Sequence, residues 1–355
     1  MFFVPPSRLY ASYIDWKVLA CLLCLMAVVS GLRKTGLFDI AALALTRLSG
    51  GIRSMAIILI LSTFFVSMAV TNDVALITFV PFSLLLLKKV KTKRTKLTVI
   101  TLQTIAANIG SSLTPIGNPQ NLYLFSFYKM DAVQFFTAIA PVVAAGGFLL
   151  IAAAFTIKNE KMTFRGAASN QSPNIVHIIV YFLLFTLSVL AVFRIIDYRA
   201  ALVLVILTLL LLDRGLFRLI DYTLLWTFAG FFVFIGNLQH IGAVTRALTS
   251  IVDKNALLVS TLASQVISNV PAAILLSRFT QDSTALLRGV SIGGMGTIIA
   301  SLASVISYKF FVHEYPEENF AFLKVFTIWN VAFLVFLYGI CLLLEWSATV
   351  KCIFC

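Results

Sequence analysis

The 355-residue chain is 60% hydrophobic and carries charge on only 12% of its residues, and its mean hydropathy is +1.00. A soluble domain carries charge on about 25% of its residues, so this composition excludes a soluble globular protein. The formal net charge of +13 does not indicate a nucleic-acid partner, because Lys and Arg cluster in short loops between apolar segments. The positive-inside rule predicts that distribution for a membrane protein. We therefore expect a lipid bilayer as the surroundings and no nucleic acid.

Apolar segments of helix length recur along the whole chain and predict an all-α polytopic membrane protein. Barrel strands would alternate with a period of two residues, whereas these segments are continuous. The candidate segments are 18–32, 55–70, 72–87, 97–128, 137–157, 174–193, 199–212, 222–241, 256–280, 285–309 and 322–345.

The densest basic cluster is KKVKTKRTK at 88–96. The positive-inside rule places this loop in the cytoplasm. We expect the protein to lie in the cytoplasmic (inner) membrane of a bacterium. Counting crossings from the cluster puts 33–54, 158–173 and 213–221 on the same side of the membrane.

Segments 55–70 and 72–87 are each shorter than the roughly 20 residues that a spanning helix needs. Only the tip sequence TNDV lies between them, which leaves no room for a loop. This pattern predicts a re-entrant helical hairpin over 55–87 that enters the membrane and returns to the same side.

Segment 97–128 is interrupted by NIGSSLTPIGNPQN, which contains the residues least suited to lipid. Pro115 and Pro119 lack an N–H group, and Gly110 and Gly117 permit unusual dihedral angles. Irregular backbone at membrane depth is tolerated only where it is buried in protein or lines an aqueous cavity. The pattern predicts a broken helix whose free carbonyls can coordinate a cation and whose half-helix N-terminus can face an anion. The alternative is a proline kink that only shapes the helix.

Asp73 is the only acidic residue at the centre of an apolar segment. A charge at that depth costs about 2.5–3.5 kcal/mol on insertion scales, so such a residue is a functional candidate by default. Asp73 could bind Na⁺ directly or carry a proton. The alternative is a helix cap, because a Thr-Asn-Asp tip can cap the second arm of the hairpin.

Three stretches of the first half recur in the second half, in the same order and with matching polar residues. The matching pairs are 14–36 with 220–242, 71–75 with 268–272, and 109–118 with 292–301. The pattern predicts two homologous repeats, 1–157 and 174–355, joined by a cytoplasmic linker at 158–173.

Counting crossings predicts how the two repeats are oriented. With 55–87 re-entrant, the chain crosses the membrane five times from 18–32 to 199–212, both included, so segment 222–241 runs in the opposite direction to segment 18–32. Inverted repeats of this kind are typical of secondary transporters. In the second repeat we expect a re-entrant hairpin over 256–280 and a broken helix over 285–309.

The second repeat is poorer in polar side chains, because its tip reads SNVP and its break reads SIGGMGTIIAS. We therefore expect an asymmetric site with most polar groups from the first repeat. Helix packing is the alternative role of the glycines in the second break. The predicted substrate- and ion-binding residues are Thr71, Asn72, Asp73, Gly110, Ser111, Ser112, Thr114, Gly117, Asn118, Ser268, Asn269, Gly293, Gly294, Thr297 and Ser301.

At TNDVALITFVPF, NIGSSLTPIGNPQN and SQVISNVPAAILL, the chain resembles the ion transporter superfamily with a citrate transporter-like domain. Relatives in that superfamily include sodium–dicarboxylate symporters, arsenite permeases and sodium–proton antiporters of the NhaD type. The resemblance implies paired re-entrant hairpins, two broken helices, a scaffold that dimerises and elevator-type movement. In the dicarboxylate symporters a Ser-Asn-Thr triplet at each tip meets sodium and a substrate carboxylate. The matching triplets here begin at Thr71 and Ser268, and neither has the third Thr.

These patterns predict a secondary active transporter that moves a small anion or oxyanion, coupled to Na⁺ or H⁺, by an elevator mechanism. A sodium–proton antiporter is the alternative, and a channel is a third interpretation. An enzyme is not expected, because no metalloprotease, nucleophile-elbow or P-loop motif is present. We expect a homodimer and no cofactor, with Na⁺ as a coupling ion near Asn72, Asp73 and Gly117.

Overall fold

The computed structural model describes residues 10–46, 49–88, 90, 92–159 and 174–354. Most of the predicted linker 158–173, and positions 89 and 91 of the basic cluster, lie outside the described residues. The described ranges are helical, with no strand among them. Five helices are long and apolar enough to cross a membrane, and a sixth span is added by a pair of helices bent by 105° at residues 239–241. The all-helical polytopic membrane protein that the composition predicts is confirmed.

Seventeen α-helices occur in the described part of the chain. The first ten are α1 Tyr10–Tyr13, α2 Trp16–Lys34, α3 Leu37–Thr46, α4 Ile52–Ala69, α5 Asn72–Leu87, α6 Lys93–Ser111, α7 Pro119–Phe127, α8 Ala132–Ala154, α9 Ile175–Val192 and α10 Tyr198–Leu212. The others are α11 Tyr222–Leu238, α12 Gly242–Val252, α13 Ala256–Ile267, α14 Asn269–Leu276, α15 Ser283–Gly293, α16 Leu302–Glu314 and α17 Asn319–Phe354. Short 3₁₀ turns lie at Arg214–Leu219, Ile298–Ala300 and Pro316–Glu318.

Acidic residues and asparagines between the apolar segments start many of these helices. The side chain of Asp15 accepts a hydrogen bond from the backbone N–H of Val18 at the start of α2, and Asp221 accepts one from Leu224 at the start of α11. Asp131, Asn174, Asp197, Asn255 and Asp282 act in the same way. Such caps satisfy backbone N–H groups that have no partner within the helix.

Two runs of seven helices, α2–α8 and α11–α17, have the same order. Each run has a longer helix, a short helix, a pair joined by a tight tip, a pair separated by an irregular stretch, and a long final helix. The packing partners correspond as well: α4 lies along α6 as α13 lies along α15, and α5 packs on α16 as α14 packs on α7. The last two contacts join one run to the other.

Contacts between distant loops define two faces of the molecule. The basic face contains the ion pairs Lys34–Asp213, Lys88–Glu314 and Lys93–Glu318 and the hydrogen bond from Arg53 to the carbonyl oxygen of Ile157. The hydrogen bond from Lys34 holds the pKa of the Asp213 carboxyl below its ordinary value. The opposite face contains the hydrogen bonds between Tyr13 and His240 and from Tyr128 to the carbonyl oxygens of Ser277 and Thr280.

Several helices differ in extent from the predicted segments. Segment 97–128 is two helices, α6 and α7, and α6 begins at Lys93 within the basic cluster. Segment 256–280 divides at Ser268, and segment 285–309 divides after Gly293. The short helices α3 and α12 were not predicted, because α3 is too short to be recognised by length and α12 is amphipathic rather than continuously apolar.

Candidate functional site

The first break separates α6 from α7, and a single amide holds it. Asn118 caps α7, because its side-chain oxygen accepts a hydrogen bond from the N–H of Asn121 at 2.9 Å. The side-chain amide of Asn121 donates to three carbonyl oxygens of the break, at residues 111, 112 and 114 and at distances of 3.4, 3.0 and 3.1 Å. These carbonyls follow the end of a helix and would otherwise lack partners.

The tip between α4 and α5 docks on this break. The backbone N–H of Asn72 donates to the carbonyl oxygen of Gly117 at 3.0 Å, and the hydroxyl of Thr114 donates to the carbonyl oxygen of Met68 at 2.6 Å. Only glycine fits at position 117, because a Cβ atom there would overlap the carbonyl oxygen of Ser111. The tip and the break therefore satisfy each other's irregular backbone.

The second break, between α15 and α16, is held by a different side chain. The Gln265 amide on α13 donates to the carbonyl oxygens of Gly293 and Met295 at 2.8 and 2.9 Å. Its side-chain oxygen accepts a hydrogen bond from the N–H of Thr297 at 2.9 Å. The supporting amide thus comes from the hairpin arm before the tip, whereas Asn121 comes from the helix after the break.

The second tip docks on the second break in the same manner as the first. The hydroxyl of Ser268 donates to the carbonyl oxygen of Ala300 at 3.3 Å. The next residue, Ser301, caps α16 through its hydroxyl. Asn269 follows the tip, and its amide lies against Gly294, where an added Cβ atom would come within 2.8 Å of the amide nitrogen.

Asn108 on α6 joins the first tip to the second break through buried hydrogen bonds. Its side-chain oxygen accepts from the amide of Asn72 at 3.3 Å and from the hydroxyl of Ser301 at 3.1 Å. Its side-chain nitrogen donates to the carbonyl oxygen of Gly294 at 3.3 Å. The residues in this chain are almost fully buried, so losing one partner would leave another polar group unsatisfied.

Asp73 lies in the first turn of α5, beside a cavity of about 130 Å³. Its Oδ1 atom is buried and has no hydrogen-bond partner among the described residues. The hydroxyl of Thr71, the residue before the helix, makes no capping hydrogen bond. An unsatisfied carboxylate oxygen in an apolar body is costly unless an ion or a proton compensates it.

Two further charged side chains lie beside the Asp73 cavity. Asp221, which the sequence places only at the end of a segment, lines the same cavity, and so does Arg33 from the end of α2. The cavity therefore holds two carboxylates and one guanidinium group. Within the described ranges, no group of three or more His, Cys, Asp or Glu residues could hold a metal ion.

A larger cavity of about 680 Å³ connects this site with the basic face. It shares Ser30, Arg33, Ile77 and Leu219 with the smaller cavity. Its walls also include Lys34, Asp39 and Leu85. Arg33 thus stands where the two cavities meet, between the basic face and the carboxylate of Asp73.

The predicted site residues fall into three groups. Thr71, Asp73 and Asn118 line the smaller cavity. A second group forms the backbone and hydrogen bonds around the two breaks and tips: Asn72, Gly110, Ser111, Ser112, Thr114, Gly117, Ser268, Asn269, Gly294 and Ser301. The remaining two, Gly293 and Thr297, contact Gln265 and do not line the cavity.

Five residues of this region were not predicted as site residues: Asn108, Asn121, Gln265, Asp221 and Arg33. Asn108 and Gln265 lie within helices, where a single amide residue does not by itself indicate a binding site. Asp221 had a signal, since the Ile-Asp-aromatic sequence at 220–222 repeats the one at 14–16. No local pattern distinguishes Arg33 from other loop cations.

Comparison with known proteins supports a transport function for this arrangement. A family model described as citrate transporter, CitMHS, matches residues 2–287. An uncharacterized transporter of Methanocaldococcus jannaschii, MJ0456, is 34% identical over 83% of this chain and 81% of its own length. The inner membrane protein YbiR of Escherichia coli is 29% identical over 87% of this chain and 83% of its own length. The silicon efflux transporter LSI3 of Oryza sativa subsp. japonica is 35% identical over 39% of this chain and 28% of its own length.

Proposed function

The chain belongs to the CitMHS family of citrate transporters and is therefore an integral membrane transporter, not an enzyme, and from that premise we propose that it is a secondary active transporter of a small anion or oxyanion. Its family is one of transporters without a known cofactor. The observation that carries the proposal is the pair of docked tips and breaks, which gathers polar groups at one point of an apolar body. Broken helices facing one site are the arrangement that secondary transporters use.

We propose that the two runs of helices are inverted repeats. Tyr13, just before α2, bonds to His240, just after α11, while Arg33 near the end of α2 lines a cavity with Asp221 at the start of α11. These contacts support opposite directions for α2 and α11, as the repeat pattern predicts.

The two hairpins are proposed to be re-entrant from opposite sides of the membrane. The base of the first hairpin lies on the basic face, where Arg53 and Lys88 make their contacts. The base of the second lies on the opposite face, where Ser277 contacts Tyr128. Asn108 bonds to Asn72 of the first tip and to Gly294 of the second break, and Asn269 of the second tip lies against Gly294. Both tips therefore reach the interior of the protein.

The smaller cavity is proposed to hold the coupling ion, Na⁺ or a proton, on Asp73. The unsatisfied Oδ1 atom of Asp73 supports this role, and Thr71 and Asn118 line the same cavity. The anionic substrate would bind at the amides and helix N-termini of the tips. The basic face is proposed to be cytoplasmic, because the 88–96 cluster lies there and the positive-inside rule applies, so the larger cavity would be the cytoplasmic access path.

Movement is proposed to follow the elevator scheme that the resemblance implies. Asn108 and the contacts of α5 with α16 and α14 with α7 unite α4–α7 and α13–α16 in one block. That block would move against the remaining helices, which would form the scaffold and the homodimer interface in a bacterial inner membrane.

A sodium–proton antiporter is the second candidate. The two carboxylates of the smaller cavity, Asp73 and Asp221, favour a cation there and would repel an anion. In this case Na⁺ and protons would exchange at Asp73 without any anionic substrate.

Flux into proteoliposomes distinguishes these functions. The purified protein is reconstituted and offered citrate, a dicarboxylate, arsenite and silicate, with imposed Na⁺ or proton gradients and with protein-free vesicles as the control. We expect saturable uptake of one of these solutes above its equilibrium level, only in the presence of a gradient. Exchange of Na⁺ for protons without any of the solutes would identify an antiporter, and flux that does not saturate would identify a channel.

A further inference from the structure

A separate cavity of about 250 Å³ lies on the basic face, at the start of α6. Its lining includes Thr95 and Thr98 of α6, Arg94, Lys158 and Trp329 of α17. None of these residues lines either cavity of the transport path. The transport path therefore does not account for this cavity.

The hydroxyls of Thr95 and Thr98 are available to a ligand in this cavity. These residues are only 6% and 5% exposed, and neither hydroxyl has a hydrogen-bond partner in the part of the chain that the structure describes. By comparison, the hydroxyls of Thr63 and Thr104 donate to the carbonyl oxygen four residues earlier in their own helices. The hydroxyl oxygens of Thr95 and Thr98 are not enclosed by protein, so each can donate a hydrogen bond to a ligand with acceptor oxygens in the cavity.

The charged residues that line the cavity favour an anionic ligand. Arg94 and Lys158 contribute two positive charges, and no acidic residue lines the cavity. Lys88 and Lys93 nearby are paired with Glu314 and Glu318, whereas Arg94 and Lys158 have no ion-pair partner among the described side chains. The N-terminus of the 19-residue helix α6 also points its partial positive charge here.

We propose that this cavity binds a phosphate group, which presents acceptor oxygens to the two hydroxyls and negative charge to Arg94 and Lys158. The group has two sources, the head group of an anionic phospholipid or free phosphate. Trp329 and the position on the basic face suit a head group, because tryptophan is enriched at the membrane–water interface and basic pockets between helices bind such lipids. This proposal does not depend on the transported substrate.

Thermal unfolding of the full-length protein in a mild detergent tests the proposal. The unfolding midpoint is measured with added dioleoyl phosphatidylglycerol, with dioleoyl phosphatidylcholine, and with sodium phosphate against sodium chloride at equal ionic strength. We expect phosphatidylglycerol or phosphate to raise the midpoint and phosphatidylcholine to leave it unchanged. A rise with phosphatidylglycerol alone identifies the lipid as the source, and a rise with phosphate identifies the free anion. If neither ligand raises the midpoint of the wild-type protein, the proposal is wrong.

Two variants and a matched control locate the effect. Thr95→Val with Thr98→Val removes the hydroxyls with little change in shape, and Arg94→Gln with Lys158→Gln removes the charges. Each should require about tenfold more ligand for the same rise in midpoint, because hydrogen bonds or ion pairs to the charged ligand are lost. The control, Arg246→Gln with Lys254→Gln, removes one exposed Arg and one exposed Lys outside the cavity and should respond like the wild type. A wild-type response in both site variants would overturn the proposal.

Discussion

The two halves of the molecule build the same backbone break with different side chains. In the first half, Asn121 after the break supplies the amide that satisfies the free carbonyls, and in the second half Gln265 before the tip does so. Both tips then dock on the carbonyl oxygen of the residue that precedes a helix cap. The geometry of a break therefore does not depend on a particular side chain, provided that an amide reaches its carbonyls.

Only the first of the two tips carries an acidic residue. The first tip continues into Asp73, whose Oδ1 atom lacks a partner, and the second continues into Val270. Conversely, the second tip is strained, because Ser268 has φ of 71° and ψ of 153°, a region that glycine occupies almost exclusively. Thr71 at the first tip has an ordinary extended conformation. The difference supports the proposal that the first tip takes part in ion binding, whereas the second tip contributes shape.

The largest effect is expected from Gly117→Ala in the first break. The new Cβ atom would overlap the carbonyl oxygen of Ser111, so the break and the docked tip must separate. We expect transport in proteoliposomes to be lost and the free energy of unfolding to fall by about 1–3 kcal/mol. The control is Gly230→Ala in α11, where no atom lies within 4 Å of the added Cβ. Normal transport by the Gly117 variant would show that transport does not require the geometry of the first break.

The next effect concerns the amides that link the first tip, the second break and the second tip. Asn72→Ala, Asn269→Ala and Asn108→Ala should each lower the transport rate about tenfold or more while the protein remains in the membrane, since a buried polar partner is left unsatisfied. Asn330→Ala is the matched control, because Asn330 is buried and donates only to the carbonyl oxygen of Phe326 in its own helix. Equal rates in the three variants and the wild type would contradict a site shared by both tips.

A smaller effect compares the two supporting amides directly. Asn121→Leu and Gln265→Met keep the side-chain volume but free the carbonyls of one break each. Both should lower the free energy of unfolding by about 1–3 kcal/mol in chemical denaturation. Only Asn121→Leu should alter the dependence of uptake on Na⁺ or pH, because the first break adjoins Asp73. An altered ion dependence in Gln265→Met alone would reverse the assignment of roles.

The smallest effect concerns the conformation of the tips. Ser268→Gly should change the free energy of unfolding by less than about 0.5 kcal/mol, because the backbone strain that glycine relieves offsets the hydrogen bond lost to the carbonyl oxygen of Ala300. Thr71→Gly should lower the free energy of unfolding by about 0.5–1 kcal/mol, because glycine makes the unfolded chain more flexible and relieves no strain at the first tip. Thermal unfolding midpoints are measured side by side, and a fall in Ser268→Gly as large as that in Thr71→Gly would show that the tips do not differ in strain.

The sequence predicts where the helices begin and end better than which residues of different helices contact each other. Helix α5 begins and ends where the pattern places it, at 72 and 87, because the tip and the basic cluster bound it sharply. The first break is visible in advance because prolines, glycines and asparagines concentrate there. Asn108 is not recognisable, because its partners Gly294 and Ser301 lie 186 and 193 residues away. The sequence likewise identifies Asp221 only as a helix cap, a role that it has in the structure. Its position in the cavity beside Asp73 depends on the packing of α11 against α2.

Ion-driven uptake by the wild type and by Asp73→Asn tests the central claim most directly. Asn keeps the shape of the side chain but removes its charge and its capacity to exchange Na⁺ for a proton. Both proteins are reconstituted at equal density, and accumulation of the transported solute is measured under an Na⁺ gradient, a proton gradient and no gradient. We predict that Asp73→Asn loses accumulation above equilibrium but still exchanges solute passively across the vesicle membrane. Accumulation by Asp73→Asn with the wild-type dependence on Na⁺ and pH would contradict the account and assign the coupling ion to other groups.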